Sequence, residues 1–382
     1  MIVKSPYGVS PDIEVTIGGA TVDYNTMYRV ELILEENQHD MLVLEVSGIP
    51  PRAITDYYGK PVQLTINTGP RLSQRFNGYV EDVRPVSLTA GGLMNKSPFQ
   101  AARIVCMGAS YNLRGSTSRT WVGYKLSTIA KELAQKHRFS LDVPRDDYVN
   151  ETLVQTNESD WQFLVRYAKQ LGYRVNVHGT HMHVYDPQAA LSRQTFYHEL
   201  TSLITSGRGI DPQPGQVMEF SGTFSRRNID GEYKESEIAV LSKDNAVYNL
   251  KSTTLTTGNG TNRFPNRVGD FVDNLAEANR RLRAEDRADY DYYADVTTIG
   301  IAGCVPGSVL KLNRYDASFD GYWYVQSVKH VAHTNAFTTE LRLAKNVKSE
   351  LKLDNTKPFQ VPPVSQYDRD RWVSQKARVN EY

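Results

Sequence analysis

Residues 155–173 read Gln-Thr-Asn-Glu-Ser-Asp-Trp-Gln-Phe-Leu-Val-Arg-Tyr-Ala-Lys-Gln-Leu-Gly-Tyr. Trp161, Leu164, Val165, Ala168 and Leu171 recur at helical spacing, which predicts one buried helix face over about 160–171. Ser159 and Gln162 have the S-x-x-Q spacing of a capping box, in which a hydroxyl and a side-chain amide satisfy each other's backbone N–H groups. Gly172 supplies the stop, because a left-handed residue ends a helix most easily when it has no Cβ.

Upstream, Leu126, Ile129, Ala130 and Leu133 fall at i, i+3, i+4 and i+7 and predict a second helix. Downstream, Tyr173–Val177 and Met182–Tyr185 read as a hairpin around His178-Gly179-Thr180. Residues 114–190 are therefore expected to form a small α+β module.

Everything outside the module reads as strand. Ile13–Ile17, Leu42–Val46, Val62–Ile66, Phe76–Val80 and Ala102–Cys106 are short β-prone runs, and Val30, Leu32 and Leu34 alternate with Arg29, Glu31, Ile33 and Glu35. Asn37-Gln38-His39-Asp40 is a polar turn between two of these runs. Such spacing predicts an antiparallel barrel or sandwich.

The pattern returns with Val217–Phe224 and Glu237–Leu241, with Asp230-Gly231 marking a hairpin turn between them. Residues 242–267 read as a long loop or a protruding hairpin, and 271–288 as a charged helix anchored by Val272, Leu275 and Leu282. Asp295–Ile299, Val309–Leu312, Tyr322–His330 and Thr338–Leu343 complete a second β-rich region. The tail beyond Ala344 carries Pro358, Pro362 and Pro363 together with Tyr367, Trp372 and Tyr382, a composition suited to an extended arm that docks on a neighbour.

The fold class is thus mainly β with an α+β insertion. A first barrel is expected over 1–113, the insertion over 114–205, a second barrel over 206–350 with a loop at 242–267, and the arm over 351–382.

Composition limits the function. The 382 residues carry 44 Lys plus Arg against 43 Asp plus Glu, without the basic excess of a phosphate-held nucleic-acid binder. Cys106 and Cys304 are too few for a disulfide scaffold or a cysteine-built zinc site, and fit a reducing compartment at assembly. The N-terminus lacks the pattern of a secretory signal, and no run approaches the roughly 20 apolar residues of a membrane helix, so a soluble multi-domain protein is expected.

Catalytic patterns are missing: the sequence holds no H-E-x-x-H, G-x-S-x-G, G-x-x-x-x-G-K-[ST] or G-x-G-x-x-G. His178, His181 and His183 are one histidine cluster, better read as exposed turn residues than as metal ligands. Asp286, Asp289, Asp291 and Asp295 read as a solvated helix end rather than a cation site, and Arg280, Arg281, Arg283 and Arg287, offset by Glu277, Glu285 and Asp286, as a solvated face. Cys106 reads as a small buried hydrophobe. No catalytic, cofactor-binding or metal residue is assigned, and no enzyme activity is expected.

Two resemblances follow from these residues. Gly123–Ala130 looks like the start of a lysin-motif fold, with Lys125 where such motifs often carry a capping Thr. The stretch Gln155–Leu164 with Ala168 and Gly172-Tyr173 is similar to the Q-x-N-E-S-D-x-x-F-L…A-x-x-x-G-[YF] signature of the phage late control protein D family. Gly321-Tyr322-Trp323-Tyr324-Val325, His330 and Phe337-Thr338-Thr339-Glu340-Leu341 resemble that family's ending. The likeness covers about residues 10–345 and extends to the hub part of type VI secretion spike proteins.

It implies a baseplate hub of a phage tail or a related contractile particle. Such a hub is a homotrimer of two tail-tube-like barrels per subunit, adapting a six-fold tube to a three-fold spike. Implied partners are tail tube or distal tube proteins, the spike, and baseplate wedge or tape measure proteins, with DNA only in transit and no membrane. The implied location is the virion tail tip, after synthesis in the host cytoplasm. A tail-associated cell-wall-binding protein or peptidoglycan hydrolase is the alternative.

Overall fold

The computed structural model describes residues 11–23, 26–47, 56–69, 72–87, 100–144, 152–187, 197–202, 214–224, 233–242, 247–255, 271–272, 290, 292–313, 319–333 and 336–345. The first β-rich part contains β1 (Asp12–Ile17), β2 (Ala20–Thr21), β3 (Met27–Glu35), β4 (Met41–Ser47), β5 (Pro61–Gly69), β6 (Leu72–Ser87) and β7 (Gln100–Gly108). A 3-10 turn over Ala109–Arg114 leads into the module. There β8 (Ser116–Val122), α1 (Leu126–His137), β9 (Ser140–Asp142), β10 (Thr152–Ser159), α2 (Asp160–Gln170), β11 (Arg174–His178) and β12 (His181–Tyr185) follow in order. The second β-rich part holds β13 (Tyr197–Ser202), β14 (Gln216–Phe224), β15 (Tyr233–Ser242), β16 (Val247–Leu255), β17 (Phe271–Val272), β18 (Tyr292–Ile299), β19 (Val309–Asn313), β20 (Gly321–His333) and β21 (Ala336–Lys345).

The protein is mainly β with a small α+β module, as its sequence predicts. Its two β-rich parts are joined edge to edge in one 13-stranded sheet, ordered β19-β13-β14-β18-β21-β20-β3-β4-β7-β6-β5-β1-β2. The joint is β20. Along one edge, Gly321–Tyr324 pairs antiparallel with β19, which closes a six-stranded ring. The ladder with β21 shifts register between Val325 and Ser327, and from Ser327 to His333 the strand pairs with β3 instead. Such a bulge re-aims a strand and increases its twist. One long strand therefore serves two neighbours on the same side.

The core follows the alternation seen in the sequence. Val30, Leu32 and Leu34 of β3 are buried, as are Leu42, Leu44 and Val46 of β4, and they belong to one apolar cluster with Trp323, Val325, Val328, Leu341 and Leu343. The off-face Glu31 is ion-paired with Arg29 of its own strand and lies 3.8 Å from Lys329 of β20. A second cluster, containing Leu113, Trp121, Leu126, Ile129, Phe163, Leu164 and Val177, is the core of the module.

Both helices predicted in the module form. Ser159 caps α2 in a full capping box, with Gln162 N–H donating to Ser159 Oγ (3.1 Å) and Ser159 N–H to Gln162 Oε1 (3.0 Å). Gly172 lies at φ +83°, and Tyr173 N–H donates to the Ala168 carbonyl at 2.9 Å. The buried face is wider than the apolar spacing suggests, because Phe163 and Tyr167 are buried too, whereas Val165 is only half-buried. Lys125 precedes α1 without a side-chain cap.

Two local expectations are corrected and a third, left open between two forms, is resolved. No hairpin joins Val217–Phe224 to Glu237–Leu241: β14 pairs with β13 and β18, while β15 pairs with β16 and β17 in a separate three-stranded sheet. Strand propensity and a turn dipeptide mark elements, not partners. Of the two readings of 242–267, a long loop or a protruding hairpin, the structure takes the hairpin: β16 is antiparallel to β15 over nine residue pairs, in a sheet separate from the main one. The expected helix over 271–288 begins with a strand, β17, parallel to the end of β15. Asp230-Gly231, residues 273–289 and the arm over 351–382 lie outside the described residues.

Gly78 of β6 pairs across the ladder with Gly108. A Cβ there would sit 2.2 Å from the Met107 carbonyl oxygen, which is strand backbone and cannot move aside. Gly78→Ala should therefore destabilise by about 3 kcal/mol, the upper end of ordinary overpacking. Ser159→Ala, which removes one capping bond, should lose about 1 kcal/mol. Urea unfolding of the two variants checks both sizes, and equal losses would contradict the packing argument.

Candidate functional site

The polar turn between β3 and β4, Glu36 to Asp40, is where all three parts of the chain meet. Asn37 adopts the left-handed region at φ +59°, which Asn tolerates better than most residues. In that pose its N–H donates to the Val175 carbonyl (3.0 Å), and its Oδ1 accepts from Val175 N–H (3.0 Å). The turn thus docks along β11 of the module by mimicking a strand.

Its neighbours add specific contacts. Arg174 Nε lies 3.0 Å from Glu36 Oε2, with both side chains about nine-tenths buried. The His39 ring packs on Trp161 of α2, centroids 4.8 Å apart, and its Nδ1 is 2.8 Å from Ser110 Oγ. Buried Asp40 accepts from His178 Nδ1 at 2.9 Å, and the Asp40 carbonyl accepts from Gly108 N–H at 2.7 Å. Glu36 N–H donates to the Gln326 carbonyl (3.2 Å), at the bulge of β20.

A tyrosine group from the second β-rich part and the module completes the joint. Tyr324 of β20 donates to the Tyr185 hydroxyl at 3.1 Å, and Asn176 Nδ2 donates to Tyr185 at 2.9 Å and to the Pro306 carbonyl at 3.3 Å. The Tyr290 ring stacks on Tyr324, centroids 5.8 Å apart.

Burial dominates the electrostatics. It pushes the Glu36 carboxyl up to about 7, against the opposing pull of Arg174. The ion-pair distance alone would suggest the opposite shift, but desolvation of a carboxylate enclosed by aromatic rings is the larger effect. Burial likewise pushes His39 down to about 4, so its imidazole is neutral where it packs on Trp161. Asp40 is raised by burial, with His178 opposing.

The residues singled out in the sequence are dispersed. His178 is a half-buried partner of Asp40 rather than an exposed turn residue, His181 Nδ1 is 2.9 Å from Ser140 Oγ, and His183 Nε2 is 3.2 Å from Asp142. Among the described residues no group of three or more His, Cys, Asp and Glu could hold a metal ion. Asp295 pairs with Arg342 across β18 and β21 at 3.4 Å. Asp286, Asp289, Asp291, Arg280, Arg281, Arg283 and Arg287 lie outside the described residues. Cys106 and Cys304 are buried, and burial pushes both thiols up to about 12, which leaves them inert. No helix among the described residues is long and apolar enough to cross a membrane.

Residues 40–336 match the family model described as phage tail baseplate hub (GPD). The chain belongs to that family. Among curated proteins none matches it. Solved structures share the fold at low sequence identity. The tail protein from Neisseria meningitidis MC58 is 14% identical at a TM-score of 0.64, covering 88% of this chain and 96% of that one. The 43 kDa tail protein of prophage MuSo2 from Shewanella oneidensis is 12% identical at 0.59, covering 88% and 97%. An E. coli component of the type VI secretion system, itself similar to T4 bacteriophage tail proteins, is 10% identical at 0.57, covering 87% and 76%. The matched span runs from the turn that docks the module to the start of β21 in this hub-family chain.

The buried carboxyl gives a signed pH dependence. Between about 4.5 and 7 the native state holds a proton at Glu36 that the unfolded chain releases. This group's contribution is therefore fully present below 4.5 and lost as pH rises through 7. Glu36→Gln cannot titrate. Relative to that variant, the native protein should lose up to about 1.4 kcal/mol of stability per pH unit over this window. Unfolding curves of both proteins at several pH values read the difference, and parallel curves would contradict it.

Proposed function

We propose that this chain is a structural hub subunit that assembles as a homotrimer at the tip of a phage tail or a related contractile particle. Its two β-rich parts, read as units over 1–113 and 206–350, would give three subunits six sheet-built units, matching a six-fold tube above and a three-fold spike below. The observation that carries this reading is the baseplate hub match over residues 40–336, on a chain whose two β-rich parts are fused through a single strand, β20. A fused pair fixes the angle between its halves, which a ring alternating between them needs if it is to close.

The role is structural rather than catalytic. Glu36, His39, Cys106, Cys304 and His330, whose proton affinities burial displaces, are held in packing contacts. Tail tube or distal tube proteins and the spike are the expected partners, with wedge or tape measure proteins further out and DNA only passing through. The arm over 351–382, with its prolines and aromatics, is suited to packing on a neighbouring chain.

Native mass measurement tests this. The full chain should be trimeric, alone or with tube or spike protein, and a chain ending at Lys352 should assemble less well. A strict monomer under both conditions, or cell-wall hydrolysis abolished by a single carboxylate change, would overturn the reading.

A further inference from the structure

Two buried polar atoms in the tyrosine joint, Asn176 Oδ1 and Tyr290 Oη, have no hydrogen-bond partner among the described residues, and Glu36 Oε2, ion-paired with Arg174, receives no aligned hydrogen bond there. They come from three distant parts of the chain yet share one set of neighbours. Glu36 and Arg174 are 3.0 Å apart, Asn176 and Tyr324 both bond to Tyr185, and Tyr290 stacks on Tyr324. Their exposure is small: 9% of the Glu36 side chain, 1% of Asn176 and 5% of Tyr290.

The orientation of Asn176 is fixed by chemistry. The Pro306 carbonyl can only accept, so the amide nitrogen must face it and Oδ1 must point the other way.

We propose that Glu36, Asn176 and Tyr290 together hold one internal water molecule that bridges the β3–β4 turn, the module and the second β-rich part. The donor and acceptor types fit a single water. It donates to Asn176 Oδ1 and to Glu36 Oε2 and accepts from the Tyr290 hydroxyl. With Glu36 protonated on that oxygen, it accepts from both Glu36 and Tyr290. Either arrangement gives it the roughly three hydrogen bonds usual for a buried water. A metal cation is disfavoured, because the Arg174 guanidinium already lies against the carboxylate and would repel a second positive charge.

An experimental structure of the full chain that shows ordered solvent should place one peak about 2.6–3.2 Å from all three atoms. The second arm is Tyr290→Phe. If the hydroxyl holds a water, its loss should lower the folding equilibrium constant roughly fivefold. If the hydroxyl is an unsatisfied buried donor, the same variant relieves it and stability is unchanged or rises. The proposal requires both the peak and the loss. It is overturned by no peak, by a peak at metal-ligand distances with a midpoint that follows sodium or potassium concentration, or by a Tyr290→Phe protein as stable as the parent.

Discussion

The hydrogen bond from Glu36 N–H to the Gln326 carbonyl marks the constraint on which the architecture rests. At that point β20 stops pairing with β19 and starts pairing with β3. A strand edge can bond to only one neighbour at a time, so this transfer must occur over one or two residues, and the bulge beside Gln326 provides it. If the transfer fell earlier, the six-stranded ring would lose part of its closing ladder. If it fell later, the first β-rich part would lose its attachment.

Because the β3–β4 turn begins beside the bulge, the module is docked where the two β-rich parts join. The contacts there are mostly polar and directional: Asn37 with Val175, Glu36 with Arg174, Asp40 with His178. Buried polar pairs add little net stability over apolar packing of the same shape, but breaking one partner is costly, so they specify one orientation strongly. Apolar packing of His39 on Trp161 supplies the complementary, less directional part.

Much of the fold was legible in the sequence, and the exceptions share a cause. β3, β4, β5 and both helices carry a strong apolar period, so their burial follows from spacing alone. β8 is mostly Ser, Thr and exposed side chains around a single buried residue, Trp121, and β13 is short, polar and parallel to both neighbours. Neither has a local pattern to detect. Ser159 and Gln162 were readable because a capping box is a four-residue device. The joint was not, because Asn37-Gln38-His39-Asp40 looks like any polar turn and the partner of Asn37 lies 138 residues away. His178 has a different role from the one its sequence suggests: the spacing points to an exposed turn, whereas pairing with a buried Asp40 half-buries it. The sequence left a loop and a protruding hairpin both open over 242–267 for a related reason, since Ser, Thr and Asn signal a turn equally well when they sit in a strand such as β16.

The claim that one rigid joint unites the three parts is tested most directly by native-state hydrogen exchange. The amides of Glu36, Asn37 and Val175 should exchange as slowly as those of β20 between Ser327 and Val331, opening only with the whole sheet. Exchange at these three amides far faster than in β20, while the module core around Trp161 stays protected, would mean that the module moves on a loose hinge, and the account would be wrong.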